Sequence, residues 1–271
     1  MDSVAVVERE ETQVTEELNF KPASLGRFDW MADEVRHPRY DDMKKSFLSA
    51  VCLLSLQFFA FAGDSLHEDV AKKALEAHGG EKLKSMSSLV VRGSAEISGS
   101  PAATFPATFS TVFAGDKYFL EIANPFQPLK QVHDGVNTES SVRGFSLPPL
   151  NRIGLPMLQR IGDKGFVVEA LPERLRKRPG FRVVSPEGFF TDFIVDTKTG
   201  EIKSYESSFE IDGRVISTSV EVDRLKVVEG VKIPERYAQR FELGQLTFYI
   251  SFKATEILVN SDLDQSIFKI N

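Results

Sequence analysis

The sequence holds a single cysteine, Cys52, in 271 residues. That excludes an intramolecular disulfide and any metal site built on cysteine. Histidine is nearly as scarce, with four, and tryptophan occurs once, at Trp30. His67 and His78 stand eleven residues apart, which does not match the i, i+4 pair of a H-E-x-x-H zinc helix. His133 lies beside Asp134 at a turn signal and reads as a surface residue. The chain has no G-x-S-x-G elbow, no phosphate-binding P-loop and no dinucleotide glycine fingerprint. Asp and Glu scatter over turns and outward strand positions, where solvation alone would place them. The residues thus offer no catalytic group, no metal and no cofactor, and the chain reads as a non-enzyme. Excess positive charge is lacking too. The net charge is -6, and residues 1–42 carry eleven acidic against five basic side chains, so the rest is close to neutral. A near-neutral body has no concentrated basic face for nucleic acid.

Only one long apolar run is present. Met43-Lys44-Lys45 opens a positive segment, Ser46 to Phe61 is apolar, and Ala60-Phe61-Ala62 is an A-x-A cleavage pattern. Together these read as a secretory signal peptide. A membrane anchor is the alternative, since the run is only slightly short of a spanning helix. The run, however, ends on small residues and not on a basic stop. A lipid anchor on Cys52 is weaker still, because Ser49-Ala50-Val51 lacks the leucine of a lipobox. Residues 1–42 therefore read as an extension ahead of a start at Met43, non-native or disordered. Residues 43–62 read as the signal peptide, and 63–271 as a single exported domain.

That domain opens on a helix. Ser65 and Glu68 fit a helix-start pattern, and Leu66, Val70, Ala71, Ala74 and Leu75 recur at helical spacing before Gly79-Gly80. From Leu89 the period becomes two. Leu89, Val91, Gly93, Ala95 and Ile97 share one face, and Phe105, Phe109, Thr111 and Phe113 share the next. Asp134-Gly135 and Asp212-Gly213 are tight-hairpin signals. Pro234 restricts pairing between Val231–Ile233 and Glu235–Leu243. About ten strands follow one another without β-α-β units, which predicts one highly twisted antiparallel sheet or partial barrel.

Residues 145–165 interrupt the strands. Three prolines and three glycines forbid a long element, yet Leu147, Leu150, Ile153, Leu155, Met157, Leu158 and Ile161 are too apolar for a free linker. The segment reads either as a lid or binding loop, or as a loop with a short helix closing one end of the core. The basic cluster Arg174, Arg176, Lys177, Arg178 and Arg182 reads as a solvated face, or as a contact for an anionic lipid surface or acidic partner. Phenylalanine is abundant, at 22. Many share a strand parity: Phe189 with Phe193, Tyr205 with Phe209, Tyr237 with Phe241, Phe248 with Phe252. These build a packed core, or else a concave apolar surface able to accept an acyl chain.

Four stretches carry a resemblance to a known family. Ala74-Leu75-Glu76-Ala77-His78-Gly79-Gly80-Glu81-Lys82-Leu83 runs into Leu89-Val90-Val91-Arg92-Gly93. The others are Val195-Asp196-Thr197-Lys198-Thr199-Gly200, Glu229-Gly230-Val231-Lys232-Ile233-Pro234, and Asp262-Leu263-Asp264-Gln265-Ser266-Ile267-Phe268. Over about Val70 to Phe268 the chain resembles the exported LolA/LolB-like proteins, which include outer-membrane lipoprotein-sorting carriers. The resemblance is to the broad fold family. It implies an α+β fold that is mainly β, an unclosed antiparallel half-barrel with helices covering its concave face. It implies an exported, soluble, periplasmic protein that binds a lipid or the acyl chain of a lipoprotein, with transient membrane contact. An envelope sensor or protein-interaction module on the same fold is the alternative. With the strand parities, the expected cavity lining is Val91, Phe105, Phe109, Phe113, Leu120, Phe189, Phe193, Tyr205, Phe209, Phe248 and Phe252. The expected lid is Val70, Ala74, Leu150, Leu155 and Leu158.

Overall fold

A computed structural model describes residues 65–99, 104–126, 128–142, 147–211, 213–243 and 246–270. The expected extension, signal peptide and cleavage site lie outside the described residues, as does Asp212. Two helices come first, α1 (Ser65–Ala77) and α2 (Glu81–Lys84). Five strands follow: β1 (Ser88–Ser98), β2 (Thr104–Ala114), β3 (Lys117–Ala123), β4 (Leu129–His133) and β5 (Thr138–Ser140). Residues 147–166 form a strap that carries a 3-10 turn (Leu150–Arg152) and helix α3 (Leu155–Gln159). Seven strands complete the sheet: β6 (Val167–Glu169), β7 (Gly180–Val184), β8 (Phe190–Val195), β9 (Ile202–Ile211), β10 (Arg214–Val228), β11 (Val231–Leu243) and β12 (Leu246–Val259).

All twelve strands join one antiparallel sheet in the order β5-β4-β3-β2-β1-β12-β11-β10-β9-β8-β7-β6. Each strand pairs with its sequence neighbour, except that β1 pairs with β12 and the strap separates β5 from β6. The sheet is unclosed, and both edges are strands of three residues, too short to template another chain. The count corrects the expected ten strands. Val167–Glu169 is too short to show a period. Pro234 does not break its strand, because β12 pairs with β11 only from Arg236 onward, leaving one side of β11 open at the proline. Helices are few and short.

The sheet curls strongly. The β2–β3 and β7–β8 turns belong to strands six spacings apart in sheet order, roughly 29 Å if the sheet were flat. One arginine, Arg152, nevertheless reaches Asp116 in the first turn at 3.1 Å and Glu187 in the second at 2.9 Å. The apolar core lines the inner side of this curl. Leu89, Val91 and Ala95 meet Leu120, Ile122, Phe241, Ile250 and Phe252, with Ala71 and Ala74 of α1 and Met157 and Leu158 of α3. Among the described residues the outer side holds small clusters: Phe268 of the closing 3-10 turn covers Val90 and Val112, and Leu171 and Leu175 cover Ile194.

Three of the quoted motifs meet at one junction. His78, buried at the end of α1, presents Nδ1 to Lys232 O at 2.9 Å and takes the Ile202 amide on Nε2 at 3.1 Å. The amide of Lys232 donates back to His78 O at 3.1 Å. Gly79, at φ 124, lies so close to the β10–β11 turn that a Cβ would stand 2.8 Å from Gly230 O. Gly200 of the Asp196 turn packs against Lys73 and Ala77 of α1. These motifs fasten the helix to the sheet, so they mark the fold and not a reaction.

Candidate functional site

Alternation in the inner strands leaves space that the core does not fill. A cavity of about 110 Å³ is lined by Leu89, Val91, Thr111, Phe113, Leu120, Ile122, Tyr205, Ile233, Pro234, Tyr237, Gln239, Phe241 and Phe252 of the sheet. The strap adds Leu147, Leu150, Ile153, Leu155 and Pro156. A second cavity of about 150 Å³ is lined by Ile97, Ile122, Asn124, Leu129, Leu147, Phe241, Phe248 and Ile250. Ile122, Leu147 and Phe241 border both. The two spaces are thus lobes on either side of one apolar divider. An apolar cavity of about 150 Å³ holds a molecule the size of benzene, so neither lobe at rest accommodates a long acyl chain.

The strap is fastened by polar contacts at its margins and apolar ones beneath. Arg152 is largely buried and pairs with Asp116 and Glu187, and Arg160 pairs with Asp116 at 3.3 Å. Burial pushes the Glu187 carboxyl up, but hydrogen bonds from Arg152 and Ser185 and the Arg152 charge outweigh it and hold the group at about 2. Lys84 of α2 pairs with Asp163 at 2.7 Å, and Gln159 donates to Met86 O at 2.6 Å. At its start, the strap is held by Gln131 of β4, which is fully buried. The Leu147 amide donates to Gln131 Oε1 at 2.7 Å, while Gln131 Nε2 donates to Leu147 O at 3.0 Å and to the Tyr118 hydroxyl at 2.8 Å. Gly154, at φ +61, brings the strap onto Tyr205. A Cβ there would stand 2.7 Å from the Tyr205 ring and 2.9 Å from its hydroxyl.

Polar groups in the larger-lined lobe are few. Gln239 donates to Thr218 Oγ1 at 3.0 Å. Burial holds the phenols of Tyr205 and Tyr237 well above the ordinary tyrosine value, and Tyr237 is raised further by Tyr205 nearby. Both rings keep some accessible surface, and that surface borders the cavity. Among the described residues, no lysine, arginine, aspartate or glutamate lines either lobe.

Among the expected lining residues, Val91, Phe113, Leu120, Tyr205 and Phe252 border the first lobe and Phe248 the second. Phe105, Phe109, Phe189, Phe193 and Phe209 border neither, because aromatic partners close over them. Phe109 meets Phe252 edge-on at 5.0 Å, Phe193 stacks on Phe181 at 5.1 Å, Phe189 lies against Phe209 at 5.6 Å, and Phe105 meets Phe126 at 4.8 Å. Of the expected lid, Leu150 and Leu155 border the first lobe, while Leu158 is wholly buried in the core. Val70 and Ala74 belong to α1, which packs toward the β6–β7 edge and borders neither lobe. Thr111, Tyr237, Gln239 and Phe241 share parity with expected residues and were findable by extending that alternation. Leu147 belongs to the segment read as a lid or core-closing loop, but its place between the lobes depends on Gln131.

The basic cluster is largely spent on acids. Arg182 grips the buried Asp192 with two hydrogen bonds of 2.6 and 2.9 Å and lies over the Phe190 ring. Arg174 pairs with Glu206, and Arg176 pairs with Glu173 at 2.8 Å.

No protein-family model matches the chain, and no curated protein matches it in sequence. Several solved structures are similar. A LolA superfamily protein from Nitrosomonas europaea shares 12% identity, with 76% of this chain and 98% of that one covered, at a TM-score of 0.47. A DUF1329 family protein from Desulfovibrio piger shares 9%, covering 75% and 97%, at 0.43. A domain of an outer-membrane lipoprotein-sorting protein from Vibrio parahaemolyticus shares 9%, covering 73% and 97%, at 0.40. The superfamily named for the first of them is the one that the sequence motifs resemble. Identities and scores this low carry no functional inference.

Proposed function

We propose that the domain binds an acyl chain, of a lipid or of an acylated protein, between the inner face of the sheet and the strap. The observation that carries this reading is the pair of adjoining apolar lobes, which share Ile122, Leu147 and Phe241 as their common border. Each buried CH₂ is favoured over water by about 0.8 kcal/mol, so apolar walls suffice and directional chemistry is not needed. The resting lobes are small, so binding a long chain requires the strap to lift and the lobes to merge. Its Lys84–Asp163 pair is partly exposed and worth only about 0–1 kcal/mol, and lifting the strap returns the charges paired at Arg152 to water. A few methylene groups offset that cost. A carrier that takes its ligand from one membrane and yields it to another needs such a weak latch.

In this reading the protein is exported through the segment 43–62 to the periplasm and ferries its ligand, touching membranes transiently. Thr111, Tyr205, Tyr237 and Gln239, the polar side chains of the first lobe, include no nucleophile paired with a base, which favours binding over catalysis. A second reading, an envelope sensor or protein-interaction module, is favoured by the small resting volume. Native mass spectrometry of protein purified from the exported fraction separates the two. Copurified lipid, and uptake of a fluorescent acyl probe that Leu120→Trp abolishes, are the expected results. Absence of lipid, no uptake and one stable protein partner would overturn the acyl reading.

A further inference from the structure

The first lobe is not uniformly apolar. Several buried hydroxyls elsewhere are engaged within the chain: Tyr118 with Gln131, Thr191 with Arg152 O, and Ser88 with Ser261 O. Tyr205 and Tyr237 border the lobe side by side, and neither hydroxyl has a hydrogen-bond partner among the described residues. Both residues keep accessible surface and line the lobe, so hydroxyls unpaired within the chain are free to donate to a group that enters it.

Resting on the acyl-chain reading, we propose that the hydroxyls of Tyr205 and Tyr237 receive an uncharged oxygen acceptor of the ligand, the carbonyl of an acyl ester or amide. Three observations define that acceptor. Burial keeps both phenols protonated, so each has an O–H to donate. The lobe has no lysine or arginine, so an ionised carboxylate would be buried without a counter-charge. It has no carboxylate either, so a cationic headgroup finds no partner. Phe252 stacks on Tyr237 at 4.7 Å and Gly154 closes the strap over Tyr205, so the two hydroxyls are held in place while the chain runs past Leu147 toward the second lobe. The site thereby discriminates a chain already esterified or amidated from a free fatty acid of the same length.

The test compares binding of methyl dodecanoate, dodecane and dodecanoate ion to the whole protein and to Tyr205→Phe, Tyr237→Phe and the double variant. These substitutions keep the rings and their packing, and thermal unfolding of each variant checks that the fold is kept. The wild type is expected to prefer the ester over the ion. Each hydroxyl removed should weaken the ester roughly three- to tenfold, with dodecane binding unchanged. Equal ester affinity in the double variant, or preference of the wild type for dodecanoate ion, overturns the hydroxyl assignment while leaving the cavity reading intact. Failure of all three probes to bind the wild type overturns both.

Discussion

Two buried tyrosine settings, some strands apart on one sheet, are built on opposite rules. Tyr118 is completely buried, and its hydroxyl accepts from Gln131, whose remaining amide atoms clamp both backbone groups of Leu147. Every atom of that network is matched, and its product is a fixed position for the strap. Tyr205 and Tyr237 face the lobe beneath the same strap with their hydroxyls unmatched. Polar satisfaction in the first setting confers rigidity, and its absence in the second leaves capacity for something else. A fold that pairs Tyr118 fully yet leaves two other hydroxyls open keeps structural and binding roles on separate residues.

The sharpest way to break the contrast is Gln131→Ala. It strands the Tyr118 hydroxyl and both Leu147 groups in the core and opens a void, and it should cost about 3 kcal/mol in urea unfolding. If the clamp sets the divider, the same change should also raise uptake of a bulky acyl probe. Next comes Gly154→Ala, which meets both the Tyr205 ring and an unfavourable φ of +61. It should cost about 2 kcal/mol and render the strap more sensitive to protease. Tyr118→Phe should lose about 1–2 kcal/mol, whereas Tyr205→Phe should stay within about 0.5 kcal/mol of wild type or gain slightly. Equal losses at the two tyrosines would erase the distinction. The smallest effect concerns His78, a third matched group. Burial chiefly lowers its pKa, against the raising effect of the bond to Lys232 O, and Nε2 accepts the Ile202 amide only while unprotonated. A depressed histidine pKa means that the unfolded chain takes up the proton first. Stability should therefore be complete above about pH 6.5, decline as the pH falls below it, and level off below the folded pKa. A His78→Asn variant, though less stable overall, should show a flatter profile between pH 6.5 and 5.

Much of the fold was legible because strand parity is a strict code. Leu89 and Val91, Phe113 and Leu120, and Phe248 and Phe252 fall on the inner face as their alternation requires. The code fails where its period is cut short or overridden. Val167–Glu169 is too brief to alternate, and Pro234 is tolerated only because its other side is unpaired. The bulge that shifts the β1–β12 register falls at Gly93, and a glycine inside the strand is its one local mark. For the site, parity names a face but not a void. Phe109 and Phe193 are inner-face residues, yet their neighbours' rings fill the space beside them. Which inner positions border a cavity depends on the strap, and the strap depends on Gln131, Asp116 and Glu187 acting across the whole sheet. That is long-range information, invisible to a window of ten residues.

The junction at His78 also dictates an order of events. Its hydrogen bonds span 124 and 154 residues of sequence, the kind of remote closure whose entropy must be offset by structure formed beforehand. The amide of Ile202 and the carbonyl of Lys232 are in place only after β9 to β11 have assembled. Although α1 is the first described element, it is thus expected to be among the last to dock, and substitutions such as Ala74→Gly should speed unfolding while scarcely changing the refolding rate. Until then the inner face waits uncovered at its β6–β7 side, and a newly made chain would carry that apolar surface into whatever company meets it first.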